Sequence, residues 1–201
     1  MKILYLHGFS SAGSTGTAAT LRNYLYQDYG VSVLSPDIPV MPNEAVEFLR
    51  NLVQNETPDL IIGTSMGAMY AELLKGFPRI CVNPSFQMSR LLTFNHLGKN
   101  VAFKNKREDG ATSFKVDKNM VAEFKEIEKS LSLKNISAQE KSLVWGLFGK
   151  DDKVVNCRDQ FTKAYGKDHF RLIDGEHSLT QAMIKKDVLP LILELLHVQP
   201  K

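Results

Sequence analysis

Apolar residues along the chain fall into short uninterrupted runs separated by longer stretches with helical spacing. Ile3-Leu4-Tyr5-Leu6 is a strand-sized run that stops at His7-Gly8. Residues 16–29 follow with Leu21, Tyr24 and Leu25 on one face and Gly30 as a helix stop. Val31 to Leu34 reads as a second strand. Residues 43–55 read as a helix with Val46, Leu49, Leu52 and Val53 as its stripe and Asn43 as its N-cap. The alternation continues with a strand at 60–62, a helix at 66–75 closed by Gly76, and a strand at 79–83 ended by Pro84. It resumes at 143–148 (strand), 156–165 (helix) and 169–173 (strand). A last helix over 180–196 must bend at Pro190, which cannot donate a backbone hydrogen bond.

Runs that are apolar at every position belong to strands covered on both faces, and helices between them are the usual crossovers. The pattern therefore predicts an α/β fold with a mostly parallel sheet of about six strands, near residues 3, 31, 60, 80, 143 and 169. Residues 86–141 break the rhythm. They hold 11 Lys and Arg against 7 Asp and Glu, with one long periodic piece at 119–131. That segment is expected to be an insertion, most simply a lid, within a single domain spanning 1–201.

Composition narrows the field by exclusion. The 201 residues carry 25 Lys plus Arg and 22 Asp plus Glu, a net charge of +3. This is too small an excess to argue for a nucleic-acid or membrane-surface partner. No apolar stretch approaches the roughly 20 residues that span a bilayer. Ile3–Leu6 is too short for the apolar core of an export signal. Cys81 and Cys157 form neither a disulfide framework nor a metal-binding spacing, and free thiols suit the cytoplasm. His96 and His169 lack ligand spacing to each other or to acidic clusters, so no metal is expected.

The chemistry lies in Gly63-Thr64-Ser65-Met66-Gly67. A Gly-x-Ser-x-Gly pattern alone is weak, but this one follows a strand and opens a helix, the setting of a nucleophile elbow. A serine on so tight a turn projects its hydroxyl outward, and side chains two residues to either side would collide, which suits Gly63 and Gly67. The Met66 N–H then lies at a helix N-terminus, where developing negative charge is stabilised. Serine needs a base at neutral pH. Of the five histidines only His177, in Asp174-Gly175-Glu176-His177-Ser178, lies in the loop directly after the last strand, on the side of the sheet where such groups collect. A third group must orient the imidazole, and Asp151 or Asp152, after the strand at 143–148, can supply it. Phe9, just past the first strand, is the candidate for a second oxyanion N–H beside Met66. His7 is read as structural rather than as a proton carrier. Met41, Met66, Met69 and Met88 are candidates to line an acyl pocket.

Tyr5-Leu6-His7-Gly8-Phe9, the Gly63–Gly67 elbow, Asp152 with Val154-Val155, and Gly175-Glu176-His177 together resemble the α/β-hydrolase superfamily. Cys81-Val82-Asn83-Pro84 followed by Leu91-Leu92, in a chain near 200 residues, is similar to the small YqiA-like bacterial esterases. The superfamily commonly places its acid in Gly-x-x-Asp-x-x-Val. Gly149, Asp152 and Val155 match that frame, which selects Asp152 over Asp151. The resemblance implies a cofactor-free serine hydrolase of carboxylic esters with short acyl chains, acting on a small-molecule ester or thioester through Ser65, His177 and Asp152. A thioesterase or acyltransferase with the same triad, or a non-catalytic binding module on the same fold, would share these features.

Overall fold

The computed structural model describes residues 1–131 and 133–199. Six strands form one sheet: β1 (Lys2–Leu6), β2 (Ser32–Leu34), β3 (Leu60–Thr64), β4 (Arg79–Val82), β7 (Val144–Gly149) and β8 (Phe170–Ile173). Their order is β2-β1-β3-β4-β7-β8, and every neighbouring pair is parallel. Each of the six strands expected from the apolar runs is present. The two short remaining strands, β5 (Asn100–Ala102) and β6 (Ser113–Lys115), pair antiparallel as a separate hairpin.

The runs are continuous because alternate residues enter two cores. Leu4, Leu6, Ile61, Cys81, Val144 and Phe148 face one side, where α2 (Pro42–Glu56), α3 (Met66–Leu73) and α7 (Arg158–Tyr165) pack. Ile3, Tyr5, Leu60, Ile62, Ile80, Val82 and Leu147 face the other, under α1 (Gly16–Tyr29) and the C-terminal helices. Burying each large aliphatic side chain contributes roughly 1.5–3 kcal/mol.

Local signals set most boundaries. The Thr15 side chain accepts the Ala18 N–H at the start of α1, and Gly30, at φ +69°, ends it. α2 begins one residue before its expected start: Pro42 takes the first turn and Met41, not Asn43, is the N-cap. The terminal helix is broken as Pro190 requires. α8 (Gln181–Met183) runs into a wide π turn at Ile184–Val188, and α9 (Leu189–Leu196) restarts with the proline in its first turn. Trp145, although in β7, is only partly buried, with Arg171 lying 5.2 Å from its ring centroid.

Residues 86–141 contain α4 (Met88–Asn95), the β5–β6 hairpin, α5 (Lys118–Ser130) and the first part of α6 (Ala138–Ser142). The apolar side of α5, with Met120, Phe124 and Ile127, joins the core against α2, and Met88 and Leu92 of α4 join it too. The hairpin tip is tied to the loop after β1: Lys104 N–H donates to the Ser10 carbonyl at 2.8 Å, and Ser11 Oγ donates to Asn105 at 2.9 Å. Asp37 clasps both sides, accepting Gly13 N–H at 2.7 Å and Glu108 N–H at 2.6 Å. Among the described residues no helix is long and apolar enough to cross a membrane.

Candidate active site

Parallel strands deliver their C-terminal ends to one edge of the sheet, and all five residues singled out in the sequence lie there. β3 ends at Thr64 and α3 starts at Met66, leaving Ser65 alone to make the turn. Its backbone sits at φ +55° and ψ −115°, a conformation costly for a residue with a Cβ. The flanking glycines show why the turn can be so tight. A Cβ on Gly63 would lie 2.4 Å from the Gly67 carbonyl oxygen, and one on Gly67 would lie 2.1 Å from that of Leu6.

The loop that carries His177 follows β8, at the edge of the sheet. His177 Nε2 lies 3.0 Å from Ser65 Oγ, and His177 Nδ1 lies 2.8 Å from Asp152 Oδ2. The other carboxylate oxygen of Asp152 accepts the N–H groups of Val154 at 2.8 Å and Val155 at 3.1 Å. Those two bonds fix the carboxylate plane toward the imidazole. The side chains of His177 and Asp152 are 19% and 6% exposed, so the hydrogen bond between them is shielded from water on most sides. Asp151 is exposed, and its backbone N–H is bound to the Gly175 carbonyl at 3.0 Å. Of the two neighbouring aspartates, Asp152 is therefore the one in contact with the imidazole.

The loop after β1 lies against this turn: a Cβ on Gly8 would be in ordinary contact with Ser65 Cβ, at 3.4 Å. Phe9 N–H and Met66 N–H donate to no acceptor among the described residues, which leaves both available to an oxygen held beside Ser65. His7 is buried and faces away from this chemistry. Its Nε2 accepts Ile38 N–H at 3.1 Å, so the proton resides on Nδ1, which donates to the Gly8 carbonyl at 2.9 Å. Burial holds its basicity below the usual imidazole value.

A groove of about 340 Å³ opens between α4 and the loop that follows Asp152. Ser85, Arg90, Leu91, Phe94, Val154 and Cys157 are among its walls. It borders the site on both sides, since Ser85 N–H donates to the Ser65 carbonyl at 3.1 Å and the Val154 N–H to Asp152. The methionines expected to line an acyl pocket do not line it. Met69 and Met88 are sealed in the core, because their long side chains fill the space beneath α3 and α4. Phe94 and Val154, at 76% and 58% exposure, are among the most exposed large apolar residues. Sequence reasoning assigned neither a role in the site. It also assigned none to Asn83, whose side chain reaches the loop that carries His177. An Asn-Pro pair at a strand end reads as a turn signal and hides this use. Among the described residues no group of three or more His, Cys, Asp or Glu is placed to hold a metal ion.

A family model described as Uncharacterised protein family (UPF0227) matches residues 2–191. The chain belongs to that family. Solved structures with the α/β-hydrolase fold match nearly its whole length. Est1E from Butyrivibrio proteoclasticus superposes with a TM-score of 0.70 at 16% identity, covering 98% of this chain and 88% of that one. The monoacylglycerol lipase of Paleococcus ferrophilus gives 0.62 at 14% identity, covering 97% and 93%. Alpha/beta hydrolase domain-containing protein 10 from mouse gives 0.61 at 12%, covering 97% and 90%. The UPF0227 chain thus has the α/β-hydrolase fold that its motifs resemble, and the parallel six-stranded sheet agrees.

Proposed function

We propose that the protein is a serine hydrolase of carboxylic esters with short acyl chains, working through an acyl-enzyme on Ser65. The observation that carries this reading is the unbroken chain Asp152–His177–Ser65, and the Phe9 and Met66 N–H groups are unpaired among the described residues. That similar folds include a monoacylglycerol lipase and two lipolytic enzymes supports it. His177 Nε2 takes the Ser65 proton as Oγ attacks the acyl carbon, and Asp152 steadies the imidazolium. The oxyanion is held by the Phe9 and Met66 N–H groups, each of which is worth about 10²–10³ in rate. His177 then gives its proton to the departing alcohol. Water, deprotonated by the same nitrogen, attacks the acyl-enzyme, and the acid leaves with Ser65 restored.

The groove beside α4 is the seat for the acyl chain in this reading, because the acyl group stays bound to Ser65 while the alcohol must depart. Its volume is at the low end for small-molecule sites, which favours short chains. Residues 86–141 serve as the cap, since α4 forms one wall of that groove. The test is hydrolysis of p-nitrophenyl acetate, butyrate, octanoate and palmitate near pH 8, with Ser65→Ala as blank. Activity highest on the two shorter esters and absent from the variant is expected. Equal turnover by the variant would end the assignment, and a rise toward palmitate would end its short-chain part.

A further inference from the structure

β4 brings one polar side chain to the centre of this edge. Asn83 follows Val82 directly and is 1% exposed, in the left-handed region at φ +44°. Its carboxamide makes three hydrogen bonds, to the loop that carries His177 and to the end of β7. Nδ2 donates to the His177 carbonyl at 2.9 Å and to the Glu176 carbonyl at 3.2 Å. Oδ1 accepts the Gly149 N–H at 2.8 Å, three residues before Asp152. The backbone around it is tied to the third member of the site. Ser65 N–H donates to the Val82 carbonyl at 2.9 Å, and Asn83 N–H donates to the Leu147 carbonyl at 2.8 Å.

From this geometry we infer that Asn83 is the positioning residue that sets His177 and Asp152 in register with Ser65. The inference rests on the proposed role of those three residues. The residue type is dictated by the partners. Two carbonyls and one N–H must be met by a short side chain with two donors and one acceptor, and only Asn provides that. Asp would turn a carboxylate oxygen toward two carbonyl oxygens, and Gln is one methylene too long for a packed site. Asn also tolerates the left-handed backbone better than most residues. Gly149 completes the joint. A Cβ there would lie 2.5 Å from the Glu176 carbonyl oxygen, so the acid strand and base loop touch only because it is absent.

Without the carboxamide, the His177 backbone loses its fixed point while the fold keeps its sheet. Misplacement of a reacting group by about 1 Å costs on the order of 10²-fold in rate. Asn83→Gly is the clean variant, because glycine accepts φ +44° without strain. Well below its unfolding temperature, it is expected to lose about 10²-fold in kcat for p-nitrophenyl acetate with KM changed less than about twofold. The low-field proton NMR signal of the His177 Nδ1–H held by Asp152, which needs no substrate, should broaden or vanish. Asn83→Asp keeps an acceptor for Gly149 but loses both donors, and should show the same two losses. It serves as the test if the glycine variant does not fold. A folded variant with kcat within threefold of the parent and the low-field signal intact would overturn the inference. A parent protein that shows the signal but hydrolyses no ester would refute the proposed reaction. The inference would then be decided by the signal alone: loss in the variants upholds it and retention overturns it.

Discussion

Gly67→Ala is a one-carbon change whose consequences follow from two distances. The added Cβ would sit 2.1 Å from the Leu6 carbonyl oxygen and 2.7 Å from that of His7. Both are backbone atoms at the end of β1, so no side chain can swing away. Ordinary contact begins near 3.4 Å, so α3 and β1 must separate by roughly 1 Å. Met66 N–H is on the residue just before the change, and Phe9 N–H is two residues past His7. The same separation therefore pulls the two proposed oxyanion donors apart. Overpacking of this kind costs about 1–3 kcal/mol, a fall in Tm of about 2–12 °C for a domain of this size. Loss of one donor's alignment costs about 10²-fold or more in kcat. The assay is p-nitrophenyl acetate hydrolysis well below Tm beside a thermal melt. Gly16→Ala serves as control, because a Cβ at Gly16 meets nothing within 4 Å. A Gly67→Ala protein with parental Tm and kcat within threefold of the parent would refute this steric reasoning.

Other outcomes follow from groups away from the hydroxyl. His7 has a folded-state pKa below its ordinary value of 6.5, so the unfolded chain binds a proton that the folded chain refuses. Stability contributed by neutral His7 is present above that pH and is lost as pH falls toward the lowered value; Tm between pH 7 and 5 should drop less steeply in His7→Asn. Arg79, fully buried at the opposite end of β4, pairs with Glu140, while Glu72 is held by Tyr165 and by Lys75 at 2.6 Å. Arg79→Ala should cost about 3–5 kcal/mol in urea unfolding with kcat per folded molecule unchanged; a large kcat loss would contradict its remoteness. Cys81 and Cys157 are buried, and burial pushes both thiols up. A disulfide exchange reagent should label neither quickly until denaturant is added, and rapid native labelling would count against their packing.

What the amino-acid pattern made legible was whatever physical chemistry expresses locally. β1, β3, β4 and β7 announce themselves because residues such as Leu60, Ile61 and Ile62 alternate between two cores, so successive positions in the run are apolar. Ser65 was legible because its turn needs glycine at fixed offsets, and His177 because it follows the last strand. Asp152 required the Gly149–Val155 frame, since Asp151 has the same chemistry and only the fold separates them. The β5–β6 hairpin was not legible: its strands are three residues long and lie on the surface, and Val101 and Phe114 are their only large apolar side chains. Asn83 was hidden for a different reason. Its partners at Gly149, Glu176 and His177 lie 66 to 94 residues away in sequence, and a side chain that meets backbone groups leaves no pattern behind.

The central claim is that Ser65 is an activated nucleophile, and covalent capture tests it without knowledge of the substrate. The folded protein is incubated with a fluorophosphonate, its intact mass is measured, and the modified peptide is mapped. One adduct per chain on Ser65 is expected, absent in Ser65→Ala and slowed about 10²-fold or more in His177→Ala. An unmodified protein, or an adduct at another residue, would contradict it.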